Sequence, residues 1–233
     1  MKRIALLALS LLLLVPARAQ HREDFDNAVF ATRDENLQFR VFSHLGYGFH
    51  FVRSDDFKAR PSGEFFMNVL KLRYFPLDNL ALDLGADIEY NFISSRQNGF
   101  YLDDDRQVRV RQADSSRPVN NESSRGSSID AFTINMPLLA RFMVGDLCFG
   151  VGAEASFNPG GSVSSHYKVD NVTTNVTEHK ARLNGFSYGL TLMADYDGAG
   201  LYMKFYPGPS ARLLPAGGID LHYWTLGIIL NFD

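Results

Sequence analysis

Apolar side chains occupy every second position near the carboxyl end of the chain, in the segment LHYWTLGIILNF at residues 221–232. One face is apolar and consists of Trp224, Leu226, Ile228, Leu230 and Phe232. The opposite face is mixed and includes Tyr223, Thr225, Gly227 and Asn231. A period of two predicts a β-strand. The pattern leaves open whether the apolar face packs on a soluble core or faces lipid, and the other strands decide between the two.

Seven further segments show the same alternation, so the sequence predicts eight strands in all. The seven cover residues 37–52, 64–75, 80–92, 129–144, 147–157, 186–195 and 201–206. In the second segment, Asn68 interrupts an apolar face that holds Phe66 and Leu70. In the fourth, Pro137 has no N–H to donate to the ladder, and we expect a bulge or a local distortion there.

The polar faces of these segments carry charged residues of both signs. They are Arg40, Lys71, Arg73, Asp83, Asp87, Glu89, Arg141, Glu154, Asp195 and Lys204. The interior of an eight-stranded barrel is just wide enough for side chains to fill, and small residues with a few opposed charges suit it. The apolar faces run for about 10 residues, the length of a strand that crosses a bilayer at a tilt. The sequence therefore predicts an all-β fold, an eight-stranded antiparallel transmembrane β-barrel with its apolar face toward lipid.

The connections between the predicted strands alternate in length. The long ones cover residues 53–63, 94–128, 158–181 and 207–218, and the short ones cover 76–79, 145–146 and 197–200. Outer-membrane barrels have short periplasmic turns and longer extracellular loops. We therefore expect both termini in the periplasm and long external loops at 94–128 and 158–181. Within the first of these, RQVRVRQ alternates again and predicts a strand pair beyond the membrane.

The amino-terminal end has a basic start, an apolar run and an Ala-x-Ala motif. This is the pattern of a secretory signal peptide. We expect a signal peptide at 1–19, a periplasmic lead at 20–36 and a barrel domain at 37–233. The expected location is the outer membrane, where the lipid bilayer surrounds the barrel.

Composition removes two other classes of protein. The net charge of −3 argues against a dedicated nucleic-acid partner. Cys148 is the single cysteine, so a disulfide-stapled secreted domain is excluded. By strand parity Cys148 falls on the face of small residues.

The chain resembles the PorT-like outer-membrane β-barrel family. The resemblance rests on NMPLLARF at 135–142, on the glycine-rich FGVGA at 149–153 and on the terminal strand that ends at Phe232. It implies the barrel fold, the outer-membrane location and recognition of the terminal strand by the barrel-insertion machinery. It implies no activity and no cofactor.

Several residues could carry chemistry, but none stands at a spacing that indicates a site. The candidate bases are His44 and His50 on the lumenal face and His166, His179 and His222 in or near the external loops. The candidate nucleophiles of an outer-membrane hydrolase or lipid-modifying enzyme are Ser164, Ser165 and Ser187. Asp103, Asp104 and Asp105 could supply hard oxygen ligands to a divalent cation, and Cys148 could be reactive. No spacing singles out a triad, so polar structural roles are favoured and no catalytic, cofactor or metal residue is nominated.

The sequence therefore favours a small barrel with a plugged polar lumen and no enzymatic activity. Its role would be structural or a surface interaction, with an extracellular or envelope partner bound through the external loops. Paired lumenal salt bridges are favoured over a solute pathway because unpaired buried charge is costly. The alternatives are a narrow channel, an outer-membrane enzyme that modifies lipids or peptides, and a soluble lipocalin-like binder.

Overall fold

The computed structural model describes residues 33–34, 36–96, 99–111, 126–169, 172–208, 213–215 and 218–232. The signal peptide and most of the lead at 20–36 lie outside these residues. The strands are β1 (Arg33–Asp34), β2 (Leu37–Val41), β3 (His44–Arg53), β4 (Lys58–Ala59), β5 (Ser62–Leu77), β6 (Leu80–Arg96), β7 (Gly99–Leu102), β8 (Val108–Arg111), β9 (Gly126–Val144), β10 (Leu147–Val169), β11 (Val172–Ala181), β12 (Phe186–Tyr196), β13 (Ala199–Phe205) and β14 (His222–Asn231). Every recorded strand pair is antiparallel, which confirms the all-β antiparallel prediction. Within the described ranges, no helix has the length and apolar character needed to cross a bilayer.

The long strands form a hydrogen-bonded ladder that returns to the strand where it began. The order is β3, β5, β6, β9, β10, β12, β13, β14 and again β3. Strand β2 precedes β3 along the same edge of β5, and β1 pairs with β2. Because the ladder returns to its start, these strands enclose an interior with no free edge along the shared length.

The outer face of this ladder is apolar and the inner face is polar. Exposed apolar side chains recur at alternate positions on each of these strands, among them Phe49, Leu72, Leu84, Leu138, Val151, Leu190, Met203 and Leu226. The positions between them hold buried charged and polar groups, including Asp83, Glu89, Arg141, Glu154 and Lys204. The predicted direction of the apolar face is therefore confirmed. This arrangement is the reverse of a water-soluble barrel, where the apolar face lines the core.

One predicted side-chain direction is wrong, because a bulge reverses the parity within β5. The register of β5 against β6 shifts between Asn68 and Leu70, so Val69 is an extra residue of β5. The apolar residues that face outward therefore change from Phe65 and Met67 to Leu70 and its successors. Phe66, predicted to face outward, is buried in the interior. Beside the bulge, β2 and β3 are separated at Phe42, which has a φ of 54° and donates its N–H to the Val69 carbonyl.

The two prolines of the neighbouring strands differ in their effect. At Pro137 the register of β6 against β9 does not change. The ladder is interrupted there, because no residues pair between Leu84–Leu138 and Asp87–Asn135. The expected distortion is thus an interruption of the ladder and not a bulge. The bulge on this side lies at Pro159, where the register of β10 against β9 shifts between Phe157 and Gly160.

Within the connection at 158–181 the described residues form two paired strands and not the polar loop that the sequence predicts. Strand β10 continues to Val169, and β11 returns beside it. The connection at 94–128 also begins and ends in strand, since β6 reaches Arg96 opposite Gly126 of β9. The strand pair expected around RQVRVRQ is present as β7 and β8, and residues 112–125 of this connection lie outside the described residues. The sequence hides these strand extensions because both of their faces are rich in Ser and Thr, which removes the alternation.

Candidate functional site

The interior is divided into layers, and a charged layer lies toward the short turns. Arg73 on β5 donates to both carboxylate oxygens of Asp83 on β6, at 2.7 and 2.9 Å. Arg141 on β9 donates to Asp195 and lies 3.5 Å from Asp83. The Nε of Arg141 also donates to the Cys148 sulfur at 3.1 Å. Four strands are thereby joined across the lumen by paired charges, which is the structural role favoured by the sequence.

An apolar layer lies next to these charges, on the side away from the short turns. It consists of Phe66, Leu139, Met193, Tyr202 and Ile229. The Tyr202 ring meets Phe66 edge to face at 5.2 Å between centroids. It also lies against Gly48 and Gly227, where a Cβ atom on either glycine would collide with it. The absence of side chains at these paired positions therefore lets a large ring fill the lumen.

A second charged layer is built around Lys204 of β13. Its Nζ lies 3.0 Å from Glu64, 2.5 Å from Glu89 and 3.5 Å from Glu154. These carboxylates come from β5, β6 and β10, so one ammonium group connects four strands. All four side chains are almost fully buried, and Glu64 is 0% exposed. We call this set the Lys204 cluster.

Hydrogen bonds orient the carboxylates of the Lys204 cluster. Tyr202 donates its hydroxyl to Glu64 at 3.0 Å. Asn91 and Asn135 donate their amides to the two oxygens of Glu89, at 2.6 and 2.7 Å. Such charge-assisted bonds offset part of the desolvation of the buried carboxylates.

Sequence reasoning missed Glu64, and it missed the uneven charge of the cluster for the same reason. Glu64 precedes the bulge at Val69 and shares the parity of Phe66, so the alternation alone assigns it to the apolar face. The signal that could have revealed this is the charge of Glu64 itself. A glutamate is unfavourable on a lipid-facing position, so its presence indicates that the alternation changes face within β5.

The end of the interior next to the long connections is closed by an apolar core. It contains Phe57, Ile93, Phe100, Leu102, Val108, Ile129, Val163, Leu213, Leu214, Ile219 and Leu221. These residues come from the strand extensions, from β7 and β8, from the segment before β14 and, for Phe57, from the connection between β3 and β4. Tyr206 and Tyr223 join this core to the Lys204 cluster, because Tyr206 donates to Glu154 at 3.4 Å.

The histidine candidates occupy four different strands, β3, β10, β11 and β14. His44 and His50 face the lumen as predicted, and His50 contacts Thr225 at 2.8 Å and Asn91 at 3.1 Å. His166 on β10 contacts Asn175, and His222 pairs with Asp220 at 3.1 Å. His179 lies exposed on β11.

The serine candidates bond to other partners than these histidines. Ser164 contacts Thr177 at 3.2 Å, Ser165 contacts Ser127 at 2.9 Å, and Ser187 accepts from Asn158 at 3.1 Å. Within the described ranges the recorded hydrogen bonds place none of the three serines on a histidine, so the structure assembles no nucleophile and base from them.

Asp103 acts as a turn residue between β7 and β8. One carboxylate oxygen accepts from the Gln107 N–H at 2.8 Å, and the other accepts from Arg109 Nε at 2.8 Å. The bond from Arg109 lowers the pKa of the Asp103 carboxyl. Over the part of the chain that the structure describes, no three His, Cys, Asp or Glu residues group as metal ligands.

An open groove of about 730 Å³ lies on the outer wall where β11 leaves β10. Its lining includes Tyr90, Asp130, Phe132, Ser162, His179 and Lys180. Tyr90 donates to one oxygen of Asp130 at 2.7 Å, and Ser128 donates to the other at 2.9 Å. We call this feature the outer groove.

Comparisons with known proteins give distant structural likenesses alone. No family model matches the chain, and no curated protein sequence matches it. Ail, the attachment invasion locus protein of Yersinia pestis, is 11% identical over 85% of this chain and 100% of its own, with a TM-score of 0.37. Neisserial surface protein A is 10% identical over 85% and 100%, with a TM-score of 0.37. The outer membrane protease OmpT from Escherichia coli is 11% identical over 84% and 79%, with a TM-score of 0.38. Likenesses this distant transfer no activity, so function has to be inferred from this chain's own residues.

Proposed function

We propose that the mature chain is an eight-stranded β-barrel of the outer membrane with both termini in the periplasm. The supporting observation is the ladder that returns to its start with apolar side chains outside and buried ion pairs inside. A lipid environment stabilises such an outer face, whereas water would not. The signal peptide at 1–19 and the PorT-like resemblance belong to this proposal as predictions.

The barrel acts as a closed anchor and not as a channel. Two charged layers, an apolar layer and the apolar core at one end lie in succession along the lumen. Large side chains such as Tyr202 and Phe66 fill the space between the charged layers. This succession favours a plugged lumen over the narrow-channel alternative. The serine candidates bond to groups other than the histidines, which favours a protein without enzymatic activity.

The function we assign is display of a folded platform outside the cell, for structural support or partner binding. Strands β6, β9 and β10 have 17, 19 and 23 residues, more than the roughly 9–11 that cross a bilayer. Their outward faces change from Phe132 to Ser128 on β9, and from Phe157 to Ser164 on β10. The extensions, with β7, β8 and β11, therefore support a rigid surface beyond the membrane and not a set of loose loops.

Epitope insertion tests the proposed orientation. A short tag is placed in the turn at Asp104–Asp105, between β7 and β8, and in a matched variant at Gly145–Asp146, between β9 and β10. We expect an antibody to bind intact cells that carry the first insertion, and to bind the second only after the outer membrane is permeabilised. Both turns are exposed, so local accessibility does not separate them.

Equal staining of the two variants on intact cells would contradict the proposed orientation, and so would staining of the second alone. As the control for misassembly, both tagged proteins in detergent should resist unfolding by urea as well as the untagged protein does.

A further inference from the structure

The outer groove is formed by two bulges that lie close together, one on β10 and one on β11. The first is at Pro159, where β10 gains a residue against β9. The second is at Lys180, where β11 gains a residue between the pairs Gly161–Ala181 and Ser162–His179. Lys180 has a φ of 64°, in the left-handed region that non-glycine residues seldom adopt. Bulges redirect side chains and open the strand spacing, and a Cβ atom at Gly160 would meet nothing within 4 Å.

The outer groove lies where the outward face changes from apolar to polar. One row across the sheet consists of Tyr90, Phe132 and Gly160, which are neighbours through their strand pairs. The next row consists of Asp130, Ser162 and His179. Below the groove, the Phe157 and Phe186 rings lie 5.5 Å apart, and Phe186 is 69% exposed. In the proposed membrane position, a groove at this level adjoins lipid headgroups, because aromatic girdles mark the membrane interface.

The outer groove contains charges of both signs. Asp130 supplies a carboxylate on β9, while Lys180 and His179 supply nitrogen donors on β11. Lys180 is exposed, and among the described residues no salt bridge is recorded for it. A ligand that carries an anion and a cation a few bonds apart is complementary to this pair of walls. A purely anionic ligand would meet the Asp130 carboxylate.

We propose that the outer groove binds the headgroup of a zwitterionic phospholipid of the phosphatidylethanolamine class. The phosphate lies toward Lys180 and His179, and the ammonium group lies toward Asp130. The acyl chains lie along the exposed rings of Phe132, Phe157 and Phe186. This inference rests on the proposed function, since it requires the apolar wall to be in a bilayer.

Native mass spectrometry of detergent-refolded protein tests the inference. The protein is incubated with phosphatidylethanolamine, with phosphatidylglycerol, or with free phosphoethanolamine. The mass added to the protein then shows which of these compounds stays bound, and how many copies. The variants are K180Q and D130N, and the matched control is K58Q, which removes an exposed lysine on β4. The wild type is expected to retain one phosphatidylethanolamine and no free phosphoethanolamine, because the acyl chains contribute to binding.

Two changes are expected. K180Q lowers retention of phosphatidylethanolamine by about fivefold, as for one lost charge-assisted contact, while K58Q leaves it unchanged. D130N raises retention of phosphatidylglycerol relative to phosphatidylethanolamine, because the groove loses its negative wall.

Equal retention by wild type and K180Q overturns the inference, as does an unchanged lipid preference in D130N. Insertion of every protein into vesicles is scored separately by quenching of Trp224 emission with brominated lipid. A failure of wild-type insertion counts against the proposed function, whereas normal insertion with unchanged lipid retention counts against the lipid site alone.

Discussion

Replacing Lys204 with methionine should lower the free energy of unfolding by about 3–5 kcal/mol, the range for removal of one partner from a buried ion pair. Lys204 is the ammonium group within 3.5 Å of Glu64, Glu89 and Glu154. Methionine fills a similar volume but leaves three buried carboxylates facing one another. Urea titration of the protein refolded in vesicles measures the change.

The matched control for this prediction is Lys58→Met, which removes an exposed lysine from β4 and should change stability by less than about 0.5 kcal/mol. A second test adds Glu64→Gln and Glu154→Gln to the Lys204 variant. Neutralising two carboxylates should restore part of the lost stability, because the repulsion and the desolvation penalty are both reduced. If Lys204→Met unfolds at the same urea concentration as the wild type, the Lys204 cluster is not a stabilising element.

Replacing Leu138 with arginine should destabilise the inserted protein by about 2–4 kcal/mol, the range for a cation at the bilayer midplane of a barrel. Leu138 lies on β9 among outward apolar residues, pairs with Leu84 and Ala153, and is 57% exposed. On a water-facing surface the same substitution would change stability by about 0.5 kcal/mol or less. The measurement is reversible urea unfolding from vesicles.

Ser164→Arg is the control for the arginine at Leu138. Ser164 also faces outward on a neighbouring strand, but it lies beyond the change from apolar to polar residues. Its substitution should cost about 0–1 kcal/mol, as for positions near or beyond the interface. Equal effects at the two positions would indicate that both face the same solvent.

The sequence predicted the strand positions and the outward apolar face, because period-two alternation reports directly on a wall with two different environments. It did not predict the direction of Phe66 or the role of Glu64. One extra residue at Val69 reverses the predicted direction of every side chain that precedes it in β5. The position of a bulge is not marked by a strong signal in amino-acid composition. At Pro137, where a bulge or a local distortion is expected, the ladder to β6 is interrupted. The bulge on this side lies at Pro159, where the strand partner changes from β12 to β11.

The platform outside the proposed membrane boundary was harder to predict than the wall. The sequence of β10 and β11 beyond the bulges predicts a loop, since polar residues occupy both faces, for example Ser164 on one face and Ser165 on the other. These strands share an apolar core with distant segments, since Val163, Phe100 and Leu214 belong to one buried cluster. The Lys204 cluster likewise depends on the register of four strands, which no single segment of sequence specifies.

Fluorescence of Trp224 in vesicles tests most directly whether the apolar face meets lipid. Trp224 is the single tryptophan, faces outward near the start of β14 and stacks on Phe51 with ring centroids 4.1 Å apart. We predict that lipids brominated on their acyl chains quench its emission, most strongly when the bromine lies near the glycerol end, and that aqueous iodide has little effect. Strong quenching by iodide together with no effect of brominated lipid would contradict the account, because the apolar face would then lie in water.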